Sequence, residues 1–174
     1  MNEVEIRSKV SKAICGCDTQ FLGVCAADEH PERILKYPAC YVSNIQPRSM
    51  PGAHWVSYYF SSPTHVEFFD SYGYPPYYYG LKLWPHLIHN KYSFQSITSN
   101  VCGQYCIYFV IKRARKVSLR NICNILNNIS VPDRLVSSFV TKINSINVTC
   151  MCSDRKYQCC VSRKDCIQSC TIKH

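Results

Sequence analysis

A chain of 174 residues, 47% of them hydrophobic, has enough apolar material for one substantial core and too little for two ordinary domains. The opening MNEVEIRSKVSK is charged throughout, with no apolar stretch that reads as a signal peptide, and no later run approaches the ~20 residues of a membrane span. Thirteen cysteines is an odd number, and without a secretory leader they read as thiols kept in a reducing compartment rather than as a disulfide scaffold. Residues 1 to 100 hold eight Lys/Arg and eight Asp/Glu, whereas residues 101 to 174 hold twelve Lys/Arg and three acids, so the whole net charge of +9 lies in the second part. That asymmetry points to a polyanionic partner, although a solvated helix face with excess Lys and Arg would produce the same count.

In chain order, EVEIRSKVSKAI at 3 to 14 places Ile6, Val10 and Ile14 on one stripe of an amphipathic helix. A loop rich in turn and charged residues follows (CGCDTQ, then AADEHPER). Three runs dense in β-branched and aromatic residues come next, ACYVSNI at 39 to 45, HWVSYYFS at 54 to 61 and THVEFFDSY at 64 to 72. They read as neighbouring strands, with SSP at 61 to 63 as the turn between the second and third. The segment YGYPPYYYG at 72 to 80 is too proline-rich for a central strand and reads as an ordered aromatic loop.

After residue 100 the period changes. Cys102 to Lys116 is apolar on nearly all sides until Lys112, which predicts a helix buried at its start and exposed at its end. Ser118 can N-cap a second helix carrying Leu119, Ile122, Leu126 and Ile129, and Pro132 opens a third with Leu135, Val136, Phe139 and Ile143. From Thr149 onward CMCSDRKYQCCVSRKDCIQSC has no period and six cysteines, giving a domain at 1 to 148 and a Cys-rich tail at 149 to 174. The tail supplies enough thiols for a zinc site, but its spacings do not repeat the C-x2-C pairs of a zinc module, so free or redox-labile thiols are the expected state, no metal ligand is assigned, and zinc is the competing reading.

The stretch SNVCGQYC, residues 99 to 106, concentrates the chemistry. A cysteine at a helix N-terminus faces unpaired backbone N–H groups and the positive end of the helix dipole, both of which favour thiolate. Cys102 has that position. Cys106, one turn further in among apolar neighbours, reads as a buried small hydrophobe. Gly103 leaves room beside the nucleophile for a substrate backbone.

A thiolate nucleophile needs a base, an orienting acid and an oxyanion donor. Of six histidines, His54 alone opens an apolar strand after a glycine turn (Pro51, Gly52, Ala53). Alternation in HVEFFD places Asp70 on the face of Val66 and Phe68 and sends Glu67 to the opposite face, where it is expected to be solvated. An unpaired carboxylate in that aromatic setting would be costly, and a histidine partner relieves the cost; an Asp-Ser turn that caps its own loop is the competing reading. Gln95 precedes Cys102 by a short Ser/Thr/Asn segment that can fold back and present its amide beside the Cys102 N–H. Gln104 is rotated about 200° around the helix from the nucleophile and cannot substitute easily.

The order His54, Asp70, Gln95, Cys102 resembles the adenovirus-type cysteine endopeptidases (adenain), distant relatives of the SUMO- and ubiquitin-like-protein proteases. The matching words are CGCDTQFLG at 15 to 23, PGAHW at 51 to 55, EFFDSYGY at 67 to 74 and the Gln95 to Cys102 spacing followed by VCGQYC. They span about residues 8 to 145. The resemblance implies an α+β, papain-like cysteine protease fold in permuted order, with a small central sheet flanked by helices. It implies catalysis by Cys102, His54, Asp70 and Gln95, with Gly52, Trp55 and Gly103 lining the substrate site. It further implies cleavage of viral capsid and core precursors near Gly-containing sequences in the host nucleus and virion, no cofactor for the chemistry itself, and DNA and a short viral peptide as activators. Lys112, Arg113, Arg115, Lys116 and Arg120 form the expected DNA contact. Two readings stand beside it: the same site removing ubiquitin or SUMO after a Gly-Gly terminus, and a non-enzymatic nucleic-acid module in which Cys102 is structural.

Overall fold

The computed structural model describes residues 1–144; the Cys-rich tail expected from 149 onward lies outside the described residues. The architecture is α+β, with four α-helices and one mixed five-stranded open sheet in the order β1-β2-β3-β4-β5.

Helix α1 (Glu3–Ala13) begins where Asn2 caps it reciprocally: Asn2 Oδ1 accepts from Glu5 N–H at 2.9 Å and Glu5 Oε2 accepts from Asn2 N–H at 3.0 Å. Its stripe of Ile6, Val10 and Ala13 is buried as the spacing predicts. Strand β1 (Gln20–Cys25) lies between the two stretches expected as loop, paired parallel with β2 (Ala39–Asn44). The pairing slips between Phe21 and Val24, where Gly23 takes φ +114°. A side chain there would be strained, and its Cβ would also fall 2.6 Å from the Arg7 guanidinium, which donates to Val24 O at 2.9 Å.

Strands β3 (Trp55–Ser62) and β4 (His65–Phe69) form the antiparallel hairpin expected from their composition. A three-residue β5 (Leu87–His89), not expected from the sequence, joins β4 in parallel. The loop at 72 to 80 is ordered around a short 3-10 helix (Pro76–Tyr79).

Helix α2 (Cys102–Ala114) packs across one face of the sheet, flanked by α1, α3 (Leu119–Asn127) and α4 (Pro132–Asn144). Ser118 caps α3 by accepting from Asn121 N–H, and Pro132 opens α4, both as expected. Helix α2 stops at Ala114, two residues before the expected end, because Lys116 adopts φ 65° and closes a left-handed cap. Lys116 N–H bonds to Arg113 O at 2.8 Å and Val117 N–H to Lys112 O at 3.0 Å, which satisfies carbonyls the helix end would leave open.

The opposite face of the sheet is also dry. Tyr41, Val56, Tyr58, Phe60, Val66 and Phe68 form a second cluster, covered by loop residues such as Ile34 and Leu81. Covering both faces explains why β2 is buried at every position instead of alternating.

Candidate active site

Two strand ends and one helix start meet at one end of the central strands β3 and β4. His54 is the residue before β3 and Asp70 the residue after β4. Because Ser57 pairs with Phe69, continuing that register sets His54 opposite Tyr72. Their rings accordingly stack at 4.9 Å with planes 28° apart. His54 is 7% exposed and Asp70 is fully buried.

The imidazole Nε2–H donates to Asp70 Oδ1 at 2.6 Å. Asp70 accepts three further hydrogen bonds: from Tyr72 N–H at Oδ1 (3.1 Å), and from Tyr74 N–H (2.9 Å) and Tyr79 O–H (3.0 Å) at Oδ2. Its own backbone is clamped by the Asn90 side chain, which accepts from Asp70 N–H at 3.0 Å and donates to Asp70 O at 2.7 Å. The two readings of this aspartate therefore both hold, since one carboxylate caps its own turn and orients the histidine. Four donors on a dry carboxylate compensate the cost of burying it ionised.

With Nε2 held by Asp70, the imidazole also hydrogen-bonds the side chain of Cys102, the first residue of α2. Burial alone would push the Cys102 thiol up; the His54 hydrogen bond and charge, with the backbone N–H groups of Trp55 and Gly103, outweigh it and hold the thiol below its ordinary value. Burial likewise lowers His54, and hydrogen bonds to Asp70 and Cys102 overcome this, raising it to about 9. The two shifts describe one thiolate–imidazolium pair. Other thiols move the opposite way: burial raises Cys25 and Cys123 to about 11 and carries Cys40 and Cys106 higher still.

A cleft of about 500 Å³ opens over Cys102 and His54. Gly52 and Trp55 line it, with a Cβ at Gly52 falling 2.7 Å from the Asn44 amide nitrogen. The Trp55 indole N–H donates to Met1 O at 3.1 Å, so the chain's first residues form one cleft wall. Gly103 does not line the cleft, contrary to expectation. A Cβ there would meet Met1 Cβ at 3.2 Å, Met1 Sδ at 3.3 Å and Ile6 Cδ1 at 3.4 Å, so the glycine makes room for α1, while its N–H serves the thiolate.

Gln95 lines the cleft and is 5% exposed. Its Nε2 donates to Ser99 O at 2.8 Å and to the Tyr72 hydroxyl at 3.1 Å, and its Oε1 accepts from Ser71 O–H at 2.7 Å. Both amide hydrogens are thus engaged. Gln104 lies outside the cleft lining.

The expected basic contact separates into unlike parts. Glu67 does lie on the face opposite Val66 and Phe68, but that face is covered by α2, so it is not solvated. Its carboxylate meets Arg113 Nε at 2.5 Å as a charge contact without hydrogen-bond alignment, with side chains 12% and 11% exposed. Arg113 also lies 4.3 Å over the Tyr59 ring and donates to Val117 O, so its guanidinium is engaged within the fold. Lys112 is half-buried, with its ammonium 5.3 Å from the Tyr108 ring centre and 5.7 Å from that of Phe139. Lys116 and Arg120 are exposed, and Arg115 is half-buried.

Among the described residues no three His, Cys, Asp or Glu side chains gather as a metal site, and no helix is long and apolar enough to cross a membrane. Sequence reasoning missed Tyr72, Tyr79, Asn90 and Ser71 as partners of the site. The aromatic run and its Asx-type turn were the available signal, since a turn closed by Asp70 must bring residues 72 to 74 back onto its carboxylate. No protein-family model matches this chain, and no curated protein matches it.

Proposed function

We propose that this protein is a cysteine endopeptidase. The observation that carries the reading is the continuous line from Cys102 at the start of α2, through His54, to the buried Asp70 at the end of β4. Cys102 Sγ attacks the scissile carbonyl carbon, and the carbonyl π pair moves onto oxygen. Imidazolium His54 gives its proton to the departing amine nitrogen, leaving a thioester. Water, losing a proton to His54, then attacks the thioester carbon and releases the acid and the thiolate. Asp70 holds the ring in the Nε2–H tautomer throughout. The Cys102 N–H supports the oxyanion, since it belongs to a first turn whose N–H groups have no intrahelical partner; the first such bond runs from Tyr105 N to Val101 O.

The resemblance to adenovirus-type endopeptidases supports Gly-containing viral capsid and core precursors as substrates and DNA as an activator. Exposed Lys116, just beyond the end of the helix that starts with Cys102, and exposed Arg120, in the first turn of α3, support the second part. The deciding experiment incubates wild type and Cys102→Ala with a Gly-Gly-X peptide reporter and with ubiquitin and SUMO conjugates. Cleavage of the reporter by wild type alone is expected. Equal hydrolysis by both proteins, or none by wild type on any of the three, overturns the reading; preference for the conjugates moves the substrate class to Gly-Gly isopeptides.

A further inference from the structure

An acyl-transfer site gains from a second donor beside the backbone N–H of the nucleophile, and both amide hydrogens of Gln95 are already engaged. Its orientation is fixed, because Ser99 O is a carbonyl that only an N–H can approach, which places Nε2 on that side. The second Nε2 hydrogen goes to the Tyr72 hydroxyl. That hydroxyl is thereby an acceptor with its own proton uncommitted, for among the described residues no acceptor takes it. Tyr72 lines the same cleft as Cys102; its ring is held by stacking on His54, its hydroxyl by Gln95 and its backbone N–H by Asp70 Oδ1. Burial, followed by the charges of Cys102, Asp70 and Asp133, raises the phenol above its ordinary value, so it stays a donor across the working pH range.

We propose that the Tyr72 hydroxyl, held by Gln95, is the side-chain hydrogen-bond donor to the oxyanion, and that Gln95 is a positioning residue. The proposal rests on the cysteine endopeptidase reading. Tyr72 transfers no proton; its O–H donates to the carbonyl oxygen as that oxygen gains the π electron pair, and the proton that leaves with the amine still comes from His54. A donation from Gln95 into the same hydroxyl polarises it, which strengthens the bond it makes in turn.

Tyr72→Phe keeps the ring stack on His54 and removes only the hydroxyl. Measured on the Gly-Gly-X reporter, kcat should fall on the order of 10²-fold with little change in KM, as for loss of one preformed oxyanion donor. Affinity for a peptide aldehyde, whose hemithioacetal oxygen occupies the oxyanion position, should fall with it. The pH profile of Cys102 alkylation by iodoacetamide, which needs the thiolate but no oxyanion donor, should not move. 3-Fluorotyrosine at position 72 should retain the rate within a few-fold and guards against a folding defect in the phenylalanine variant. Gln95→Ala added to Tyr72→Phe should cost little more. A Tyr72→Phe kcat within about twofold of wild type, with Gln95→Ala alone losing the rate, would assign the donor to Gln95 and overturn the proposal. An alkylation profile that shifts together with kcat would also overturn it, by placing the effect on His54. Failure of the underlying reading is distinct, since hydrolysis would then survive Cys102→Ala or be absent from wild type.

Discussion

Replacing Asp70 by asparagine removes one charge and changes one atom. The carboxylate accepts four hydrogen bonds, two at each oxygen, and the amide can accept at only one. Its carbonyl should stay with His54 Nε2–H and Tyr72 N–H, because both can only donate here. The new NH2 then faces Tyr79 O–H, which can turn and accept, and Tyr74 N–H, which cannot. One buried backbone donor is left unpaired, at about 1–3 kcal/mol, and the imidazolium loses its counter-charge, so the total loss of stability should be about 3–5 kcal/mol. The tautomer survives, so the catalytic loss comes from charge alone. A hydrogen bond to a charged group is worth about 1.5–3 kcal/mol, or roughly one to two units of pKa at 1.36 kcal/mol per unit. His54 should therefore titrate roughly one to two units below its present value of about 9. The sign follows from the direction of the shift. A histidine raised above 6.5 stabilises the fold fully below that value and loses the contribution as pH rises through about 9. In the wild type, alkylation of Cys102 should rise below pH 9 as the ion pair forms, and kcat/KM should fall as pH passes about 9; in Asp70→Asn the upper limb should move down, with activity at neutral pH lower by roughly 10- to 100-fold. Parallel pH–rate and alkylation profiles with thermal denaturation test this. An upper limb that stays near 9 in the variant would refute the claim that the Asp70 charge raises His54.

Iodoacetamide at neutral pH should label Cys102 before Cys25, Cys40, Cys106 or Cys123, read by mass spectrometry, and Cys106→Ala should retain proteolysis that Cys102→Ala abolishes. Gly103→Ala should leave thermal stability within about 1 kcal/mol of wild type, because the few tenths of an ångström that Met1 must yield to the new Cβ offset the helix-propensity gain of about 1 kcal/mol. Arg113→Ala should destabilise the fold by about 3–5 kcal/mol by leaving Glu67 buried without its partner, yet leave the salt dependence of DNA binding unchanged. With Lys112, Arg115, Lys116 and Arg120 as the remaining contacts, log Kobs against log[salt] should fall with a slope no steeper than about −3.6, and Lys116→Ala with Arg120→Ala should flatten it.

The sequence by itself determined the features that neighbouring residues decide. Asn2, Ser118 and Pro132 mark helix starts because capping acts within one turn, and the alternation in 54 to 69 sets a hairpin because side-chain direction in a strand has period two. The place of Cys102 at the start of a helix was legible for the same reason, since a helix N-terminus is a local electrostatic feature. Tertiary structure alone decided what depended on a second layer. Glu67 is ion-paired and not solvated because α2 covers the face that alternation assigned to water, and Arg113 is drawn from the basic cluster to meet it. Gly103 is small for the sake of Met1 and Ile6, a hundred positions away in the chain, and β5 exists only because β4 offers it an edge. Gln95 was placed near Cys102 by its spacing, but whether its amide hydrogens are available is set by Ser99 and Tyr72, which the fold brings to it. Local propensity and period carry no term for the atoms that arrive from elsewhere, and at a dry site those atoms decide which group is the donor.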